Sequence, residues 1–375
     1  MNIEEIASSA EARASEIDAA RRLPADLSQI MASSGLNRAW APIELGAPEL
    51  PVGEVVDVLE RLAYCEASTS WNAMISITTS LLSGRLPSPW VEEIFGDPMS
   101  TTCGVAQPMG RAQRSDGGVS VTGRWPWGSG TANAKFIGGG TLLVDADGEP
   151  VRDDSFRAPF VFFAADQIDV HDTWHVSGLK GTGSNDYSVT EAFVPEGRWA
   201  DASGPLLIDR PLYRFPFFGA LALGVCAVGL GIARRAIDDL SDLAGTKRAA
   251  MASKPLAANP LIQSQLAEAE GKRRAARALV DAAVADVWSA AAHGEVPDSA
   301  RVGLRLAATA ATRLSSEVVN ACYEAGGGAA IFETSNLQRL FRDMHVVTHH
   351  GMVAPRSYET IGRILLDQPV KLFGF

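Results

Sequence analysis

The spacing of apolar residues changes period twice along this chain, and that order constrains the fold more than any other feature. Residues 1 to about 98 are rich in Ala, Glu and Leu at helical spacing, cut into short helices by Pro24, Pro42, Pro48, Pro51, Pro87 and Pro89. From about 99 to 200 the texture is β-branched and aromatic, in runs such as "GGVSVTGRWPW", "AKFIGGGTLLVDADGE", "APFVFFAADQIDV" and "DYSVTEAFVP", separated by Gly, Asp and Asn turns. From about 205 onward helical spacing returns, with candidate helices over 215–244, 258–293, 298–325, 335–350 and 353–366. This predicts an α+β protein in three parts: an N-terminal helical domain (1–98), a central antiparallel β-barrel (99–204) and a C-terminal four-helix-type bundle (205–375).

Length and charge agree with that division. A chain of 375 residues exceeds what one hydrophobic core fills. The formal net charge of −11 opposes binding to nucleic acid or to an anionic membrane, and "GKRRAAR" (271–277) reads as a solvated helix face. The four cysteines, at 65, 103, 226 and 322, form no CxxC, so neither a disulfide framework nor a structural zinc site is expected. The N-terminal stretch is acidic and helical without an apolar signal core, which points to the cytoplasm. The longest apolar run, "FPFFGALALGVCAVGLGIA" (215–233), continues directly into "RRAIDDLSDLAG". That continuation favours a buried bundle helix over a membrane span.

Four stretches carry chemistry: "CGVAQPMG" (103–110), "GRWPWGSGTANA" (123–134), "WHVSGLKGTGSNDYSVTEAFVP" (174–195) and "EAGGGAAIFETSNLQRLFRDMHV" (324–346). In this order and spacing they resemble the acyl-CoA dehydrogenase superfamily over essentially the whole chain. The closest resemblance is to its flavin-dependent monooxygenase branch, which includes the oxygenase component of 4-hydroxyphenylacetate 3-hydroxylase and dibenzothiophene monooxygenase. The first stretch corresponds to the strand that passes the flavin ring, which makes Gln107 a cofactor-binding candidate. The second matches a Gly-Arg-Trp-x-aromatic-x-Ser-Gly pattern.

A flavin is flat and amphipathic, so its site needs aromatic walls and a few directed hydrogen-bonding groups. Trp125 and Trp127 lie two apart on the expected strand and so share a face. Ser129 follows on that face unless the flanking glycines bulge the strand, and its hydroxyl could meet the flavin N5 edge. Without a flavin, the same residues read as a packed Trp pair and a turn serine. The resemblance also implies cofactor contacts at Gly327 and Gly328, otherwise a helix C-cap, and at Arg248, near a phosphate position.

An acyl-CoA dehydrogenase needs a carboxylate to remove the substrate α-proton. In most relatives it stands nine residues after the Arg of the terminal Arg-Asp pair, which here is Gly351. The alternative position, on the first helix of the last domain, is empty too, since Phe215 to Gly231 contain no Asp or Glu. His350 stands eight after Arg342, where the monooxygenase branch uses a histidine, and imidazole can accept a proton near neutral pH or donate a hydrogen bond. His345 and His349 share a helix face, but "HVVTH" lacks the adjacent Glu of HExxH and His350 projects about 100° from His349. No metal is therefore expected. His171, His175 and Cys103 read as structural.

The resemblance implies the oxygenase component of a two-component monooxygenase. It would take reduced flavin, FMNH₂ or FADH₂, from a separate reductase, react it with O₂ to a C4a-(hydro)peroxide, and transfer one oxygen to a small aromatic or polycyclic substrate. Ser129 and His350 are its catalytic candidates, and no GxGxxG fingerprint for a nicotinamide cofactor is seen. The segments "SWNAMISI" (70–77) and "RPLYRFPFFG" (210–219) are expected at the substrate. A homotetramer is implied, with the tail "LFGF" (372–375) at a subunit contact. An acyl-thioester enzyme and a non-catalytic flavin-binding protein are the alternatives.

Overall fold

The computed structural model describes the chain except residues 154, 155, 158, 249–252, 371–373 and 375. Of the "LFGF" tail, only Gly374 falls among the described residues. The helices are α1 (Ile3–Ala12), α2 (Ala14–Ala20), α3 (Ala25–Ser33), α4 (Val52–Cys65), α5 (Ala67–Ser80), α6 (Trp90–Phe95), α7 (Pro211–Arg214), α8 (Phe217–Thr246), α9 (Pro260–His293), α10 (Asp298–Gly326), α11 (Asn336–His349) and α12 (Arg356–Leu365). The strands are β1 (Thr102–Ser115), β2 (Gly118–Gly128), β3 (Phe136–Leu143), β4 (Phe160–Ala164), β5 (Asp169–His171), β6 (Asn185–Pro195) and β7 (Trp199–Ala200). The helical–sheet–helical class holds. Two compact units are recognised: Met1–Pro51 with Trp71–Val176 and Lys180–Phe217, and Val52–Ser70 with Ser177–Leu179 and Phe218–Phe375.

The first unit contains the sheet. The expected antiparallel barrel is instead one sheet in the order β5-β6-β2-β1-β3-β4-β7, with no pairing between β5 and β7 among the described residues. Its β1 and β3 are parallel. The reason lies in the connections. β1 and β2 form a hairpin, closed by the left-handed Gly117. β3 then returns on the far side of β1, which forces the two to run the same way.

The core of this sheet is built around Trp125, which has no exposed surface. Its ring stacks on Tyr187 at 5.3 Å between centroids, and its indole N–H donates to the Gly140 carbonyl at 2.9 Å. The "GGG" of β3 supplies the room for it. A Cβ at Gly139 would lie 2.5 Å from the Trp125 ring, and one at Gly138 would lie 1.7 Å from Phe160.

In the second unit, α8 is long and apolar enough to cross a membrane, yet 83% of its most apolar window is buried in the fold. Its glycines allow close helix crossings. A Cβ at Gly231 would come within 2.3 Å of the Glu60 carbonyl oxygen on α4, and one at Gly229 within 3.2 Å of Met344 on α11. Helix α9 starts at Pro260 with the Asn259 side chain accepting from the Leu261 N–H at 3.0 Å. α10 ends where Gly327 adopts φ +53°.

Gly139→Ala should therefore destabilise the fold by about 1–3 kcal/mol, the usual cost of overpacking a close-packed core. The urea midpoint should fall at unchanged slope, and a wild-type midpoint would mean that the indole is not seated on this glycine.

Candidate active site

In the sheet unit, the strand alternation that would put Trp125 and Trp127 on one face is broken. Trp125 pairs with Tyr187 and Gly128 with Asn185, so Pro126 and Trp127 together oppose Asp186. This extra residue is a β-bulge, and it reverses which side the following residues face. Trp127 takes up the change at φ +64°, a sparsely populated conformation for a non-glycine residue. The result is a division of labour. Trp127 is 64% exposed, whereas Trp125 is sealed in the core and has no surface to offer a cofactor. The expectation that both indoles wall a flavin is corrected for Trp125 on that ground. Gln107 is exposed on β1, in the stretch where the pairing with β3 shifts register.

Ser129 follows the bulge and turns inward, with 4% of its surface exposed. Its Oγ accepts from the indole N–H of Trp71 at 3.0 Å and lies 2.7 Å from the Ser184 hydroxyl, which in turn lies 2.6 Å from that of Thr182. Backbone bonds hold this arrangement: the Ser129 N–H donates to the Trp127 carbonyl at 2.9 Å and the Gly130 N–H to the Thr182 carbonyl at 3.0 Å. Trp71, Thr182 and Ser184 were not assigned roles from the sequence, although all three lie in stretches singled out there. Cys103 is buried and its thiol is pushed up by desolvation, so it is an inert core residue. His171 bonds Ser188 at 2.8 Å on the neighbouring strand, and His175 pairs with Asp172.

In the second unit, His350 ends α11 by turning extended, at ψ 132°. Its Nδ1 accepts from the Met352 N–H at 3.2 Å. In the neutral ring this fixes the proton on Nε2. Burial, then the positive charges of Arg305 and Arg356, push its pKa down to about 4. The sequence expectation of a group titrating near neutrality is changed by these surroundings: His350 is a neutral donor. Arg305 is itself 4% exposed, bonds the Gly374 carbonyl at 2.8 Å, and is lowered to about 10 by burial and then by Arg356.

One turn of α11 earlier than its cap, His345 bonds Asn320 at 3.2 Å and packs edge-on against Phe341, while His349 is exposed. Among the described residues, no three His, Cys, Asp or Glu side chains are grouped to hold a metal.

The Arg-Asp pair on α11 anchors the segment Ser177–Leu179. Arg342 donates to the Ser177 carbonyl, and the Leu179 N–H donates to Asp343 at 2.6 Å. A Cβ at Gly178 would stand 2.3 Å from the Arg342 carbonyl oxygen. Asp343 is 3% exposed, and burial raises its carboxyl to about 7 against the opposing Leu179 N–H.

The remaining candidates lie apart from His350 in sequence and chemistry. Arg248 is exposed and forms an isolated bridge with Pro255. Its neighbour Lys247 is the one that reaches the glycine turn, donating to the Gly326 carbonyl at 2.7 Å. Gly327 caps α10, and a Cβ at Gly328 would meet no atom within 4 Å.

Comparison with known proteins gives the family. Residues 223–355 match the family model for the acyl-CoA dehydrogenase C-terminal domain. The chain is 30% identical to an indole-3-acetate monooxygenase from Pseudomonas putida, over 95% of this chain and 90% of that protein. It is 29% identical to the flavin-dependent monooxygenase oxygenase subunit HsaA of Mycobacterium tuberculosis, over 93% and 90%. The structure of XiaF from Streptomyces in complex with FADH₂ superposes with a TM-score of 0.88 at 26% identity, covering 98% of this chain and 96% of XiaF. The chain belongs to the flavin-dependent monooxygenase branch of the acyl-CoA dehydrogenase superfamily.

The residues present fit a reduced flavin. Trp127 exposes an apolar ring at the bulge, and two residues along the Ser129 hydroxyl is turned inward, against Trp71 and Ser184. An amphipathic ring requires both an aromatic wall and a directed polar group, and this stretch carries one of each.

Two oppositely signed pH effects follow. His350 is lowered in the fold, so its contribution is complete above about pH 6.5 and is lost as pH falls through about 4. Asp343 is raised, so its contribution is complete below about pH 4 and is lost as pH rises through about 7. Thermal unfolding from pH 4 to 8 should show His350→Gln flattening the acid limb. Asp343→Asn, which keeps an acceptor for Leu179, should gain on wild type as pH rises from about 4 to about 7 and hold that gain above it. Parallel curves for all three proteins would contradict both assignments.

Proposed function

We propose that this chain is the oxygenase component of a two-component monooxygenase, taking reduced flavin from a separate reductase and inserting one oxygen atom from O₂ into a small aromatic or polycyclic molecule. The observation that carries this reading is what occupies the place of the dehydrogenase base. Gly351 stands there, followed back along the chain by a neutral His350, and the first helix of the bundle offers no carboxylate. The names of the relatives as oxygenase subunits support a separate reductase. A homotetramer and a cytoplasmic location belong to the same proposal.

Bound reduced flavin supplies the two electrons with which O₂ is activated. The chain does the rest. Trp127 would stack against the ring, Ser129 would hold its N5 edge, and Gln107 would contact it from β1. Arg248, Gly327 and Gly328 are assigned to the phosphate side, with Lys247 beside them. His350 donates from Nε2 to an oxygen atom in the site; a group with a pKa of about 4 is a poor proton acceptor at neutral pH. Trp71 ties the "SWNAMISI" segment to Ser129 through its indole N–H.

The test is to mix anaerobic protein and reduced FMN, then FAD, with oxygenated buffer and to follow hydrogen peroxide release. Wild type should release it more slowly than free flavin. Ser129→Ala and His350→Ala should each release it about tenfold faster than wild type, as expected for one hydrogen bond of about 1.4 kcal/mol. Release as fast as from free flavin, together with turnover of an acyl-CoA thioester, would replace this reading with the dehydrogenase one.

A further inference from the structure

Two buried polar side chains near the start of β1 have an unmet need for a hydrogen bond, and both line one small cavity in the sheet unit. Asn37, in the short turn Leu36–Arg38 after α3, is 2% exposed, and Thr102, the first residue of β1, is 1% exposed. The Asn37 Nδ2 donates to the Thr101 hydroxyl at 2.8 Å, which leaves the amide oxygen. Neither that Oδ1 nor the Thr102 Oγ meets a partner among the described residues. Buried polar atoms are almost always hydrogen-bonded, because an unsatisfied one carries its full desolvation penalty.

The backbones around the cavity are already tied. The Thr102 N–H donates to the Ser76 hydroxyl on α5 at 3.2 Å, and that hydroxyl donates to the Asn37 carbonyl at 3.0 Å. Asn37, α5 and the start of β1 are therefore held at a fixed spacing that leaves both side-chain oxygens unbonded. The space that remains takes the centre of a water-sized sphere over about 10 Å³, which is about what one water molecule needs.

The lining decides the chemistry of the guest. It holds no Asp, Glu, Lys, Arg or His; besides Asn37 and Thr102 it includes Ser28, Met31, Cys103 and Gly130. Burial pushes the Cys103 thiol up, so it too is neutral. An ion there would have no counter-charge, so neither a metal nor an anion fits. An apolar guest would leave both oxygens unsatisfied.

We propose that this cavity is a binding site for a single structural water molecule, held between Asn37 and Thr102. The water accepts the Thr102 hydroxyl proton and donates one of its own to Asn37 Oδ1, so both unmet atoms are satisfied at once. The site lies behind the turn that carries Ser129. Gly130, the next residue, lines the cavity at φ +80°. A Cβ there would stand 2.8 Å from the Asn72 Oδ1 and 3.8 Å from the Cys103 Cβ, so the turn is seated on the cavity wall. The water thus braces the Asn37 turn, the start of β1 and the Ser129 turn against one another, whichever reaction the protein performs.

The test is a high-resolution crystal structure of the wild type, of Thr102→Val, which keeps the shape without the hydroxyl, and of Thr102→Ser, which keeps the hydroxyl. A density peak within hydrogen-bonding distance of Asn37 Oδ1 and the residue-102 hydroxyl is expected in the wild type and in Thr102→Ser, and none in Thr102→Val. Amide hydrogen exchange should follow. In Thr102→Val, peptides spanning 101–105 and 128–133 should exchange about tenfold faster than in the wild type, equivalent to about 1.4 kcal/mol for one lost bridge, while α9 and α10 keep their rates.

No peak in the wild type, a direct bond between Asn37 and Thr102 in its place, or a peak retained in Thr102→Val would overturn the proposal. Wild-type exchange of both peptides in Thr102→Val would overturn it as well. Should Thr102→Val fail to fold, the wild-type and Thr102→Ser structures decide the matter between them.

Discussion

The seating of Trp125 on glycine is the constraint from which the rest of the sheet unit follows. A buried indole removes about 200 Å² of largely apolar surface from water, worth about 5 kcal/mol before ordering costs. It can lie flat between β1, β2, β3 and β6 only because Gly110, Gly123 and Gly139 leave room for it. The ring in turn pins β2 opposite Tyr187. With Trp125 held in the core, the bulge after it must turn the chain, and Trp127 is thrown outward while Ser129 is turned inward. The outward indole and the inward hydroxyl are thus two consequences of one packing decision.

Helix α11 organises the second unit in a comparable way, through charge. Near its middle, Asp343 is buried against a backbone N–H and is raised. At its end, His350 is lowered by burial and then by the positive charges of Arg305 and Arg356. Each shift favours the neutral form, as desolvation does for any ionisable group placed in a fold. For His350 the consequence is functional, because neutrality and the Met352 bond together make Nε2 a donor. For Asp343 it is structural: the carboxyl holds Ser177–Leu179, from which the chain runs on to Thr182 and Ser184.

Much of this was legible in the sequence. The helices expected over 258–293 and 298–325 are found at Pro260–His293 and Asp298–Gly326, because long stretches of one period with clear proline and glycine limits leave little ambiguity. The family resemblance rested on four motifs, and the relatives share it along nearly the whole chain. The equal treatment of Trp125 and Trp127 does not hold, since one indole is buried and the other exposed. Strict alternation cannot register a one-residue bulge, since the sequence of a bulged strand differs from that of a regular one only by its glycines and proline. The expected barrel failed for a related reason: runs of residues announce strands but not which neighbour each strand chooses.

By itself, then, the sequence determined the order of helical, sheet and helical segments, the membership of a flavin-dependent family and the loss of the dehydrogenase carboxylate, because these depend on residue type and local spacing. Only the tertiary structure decided that Trp125 is core and Trp127 surface, that Ser129 joins Trp71, Ser184 and Thr182 in one buried chain, and that His350 is a neutral donor. Those depend on which groups meet across long separations in sequence, and on the dielectric surroundings that such meetings create.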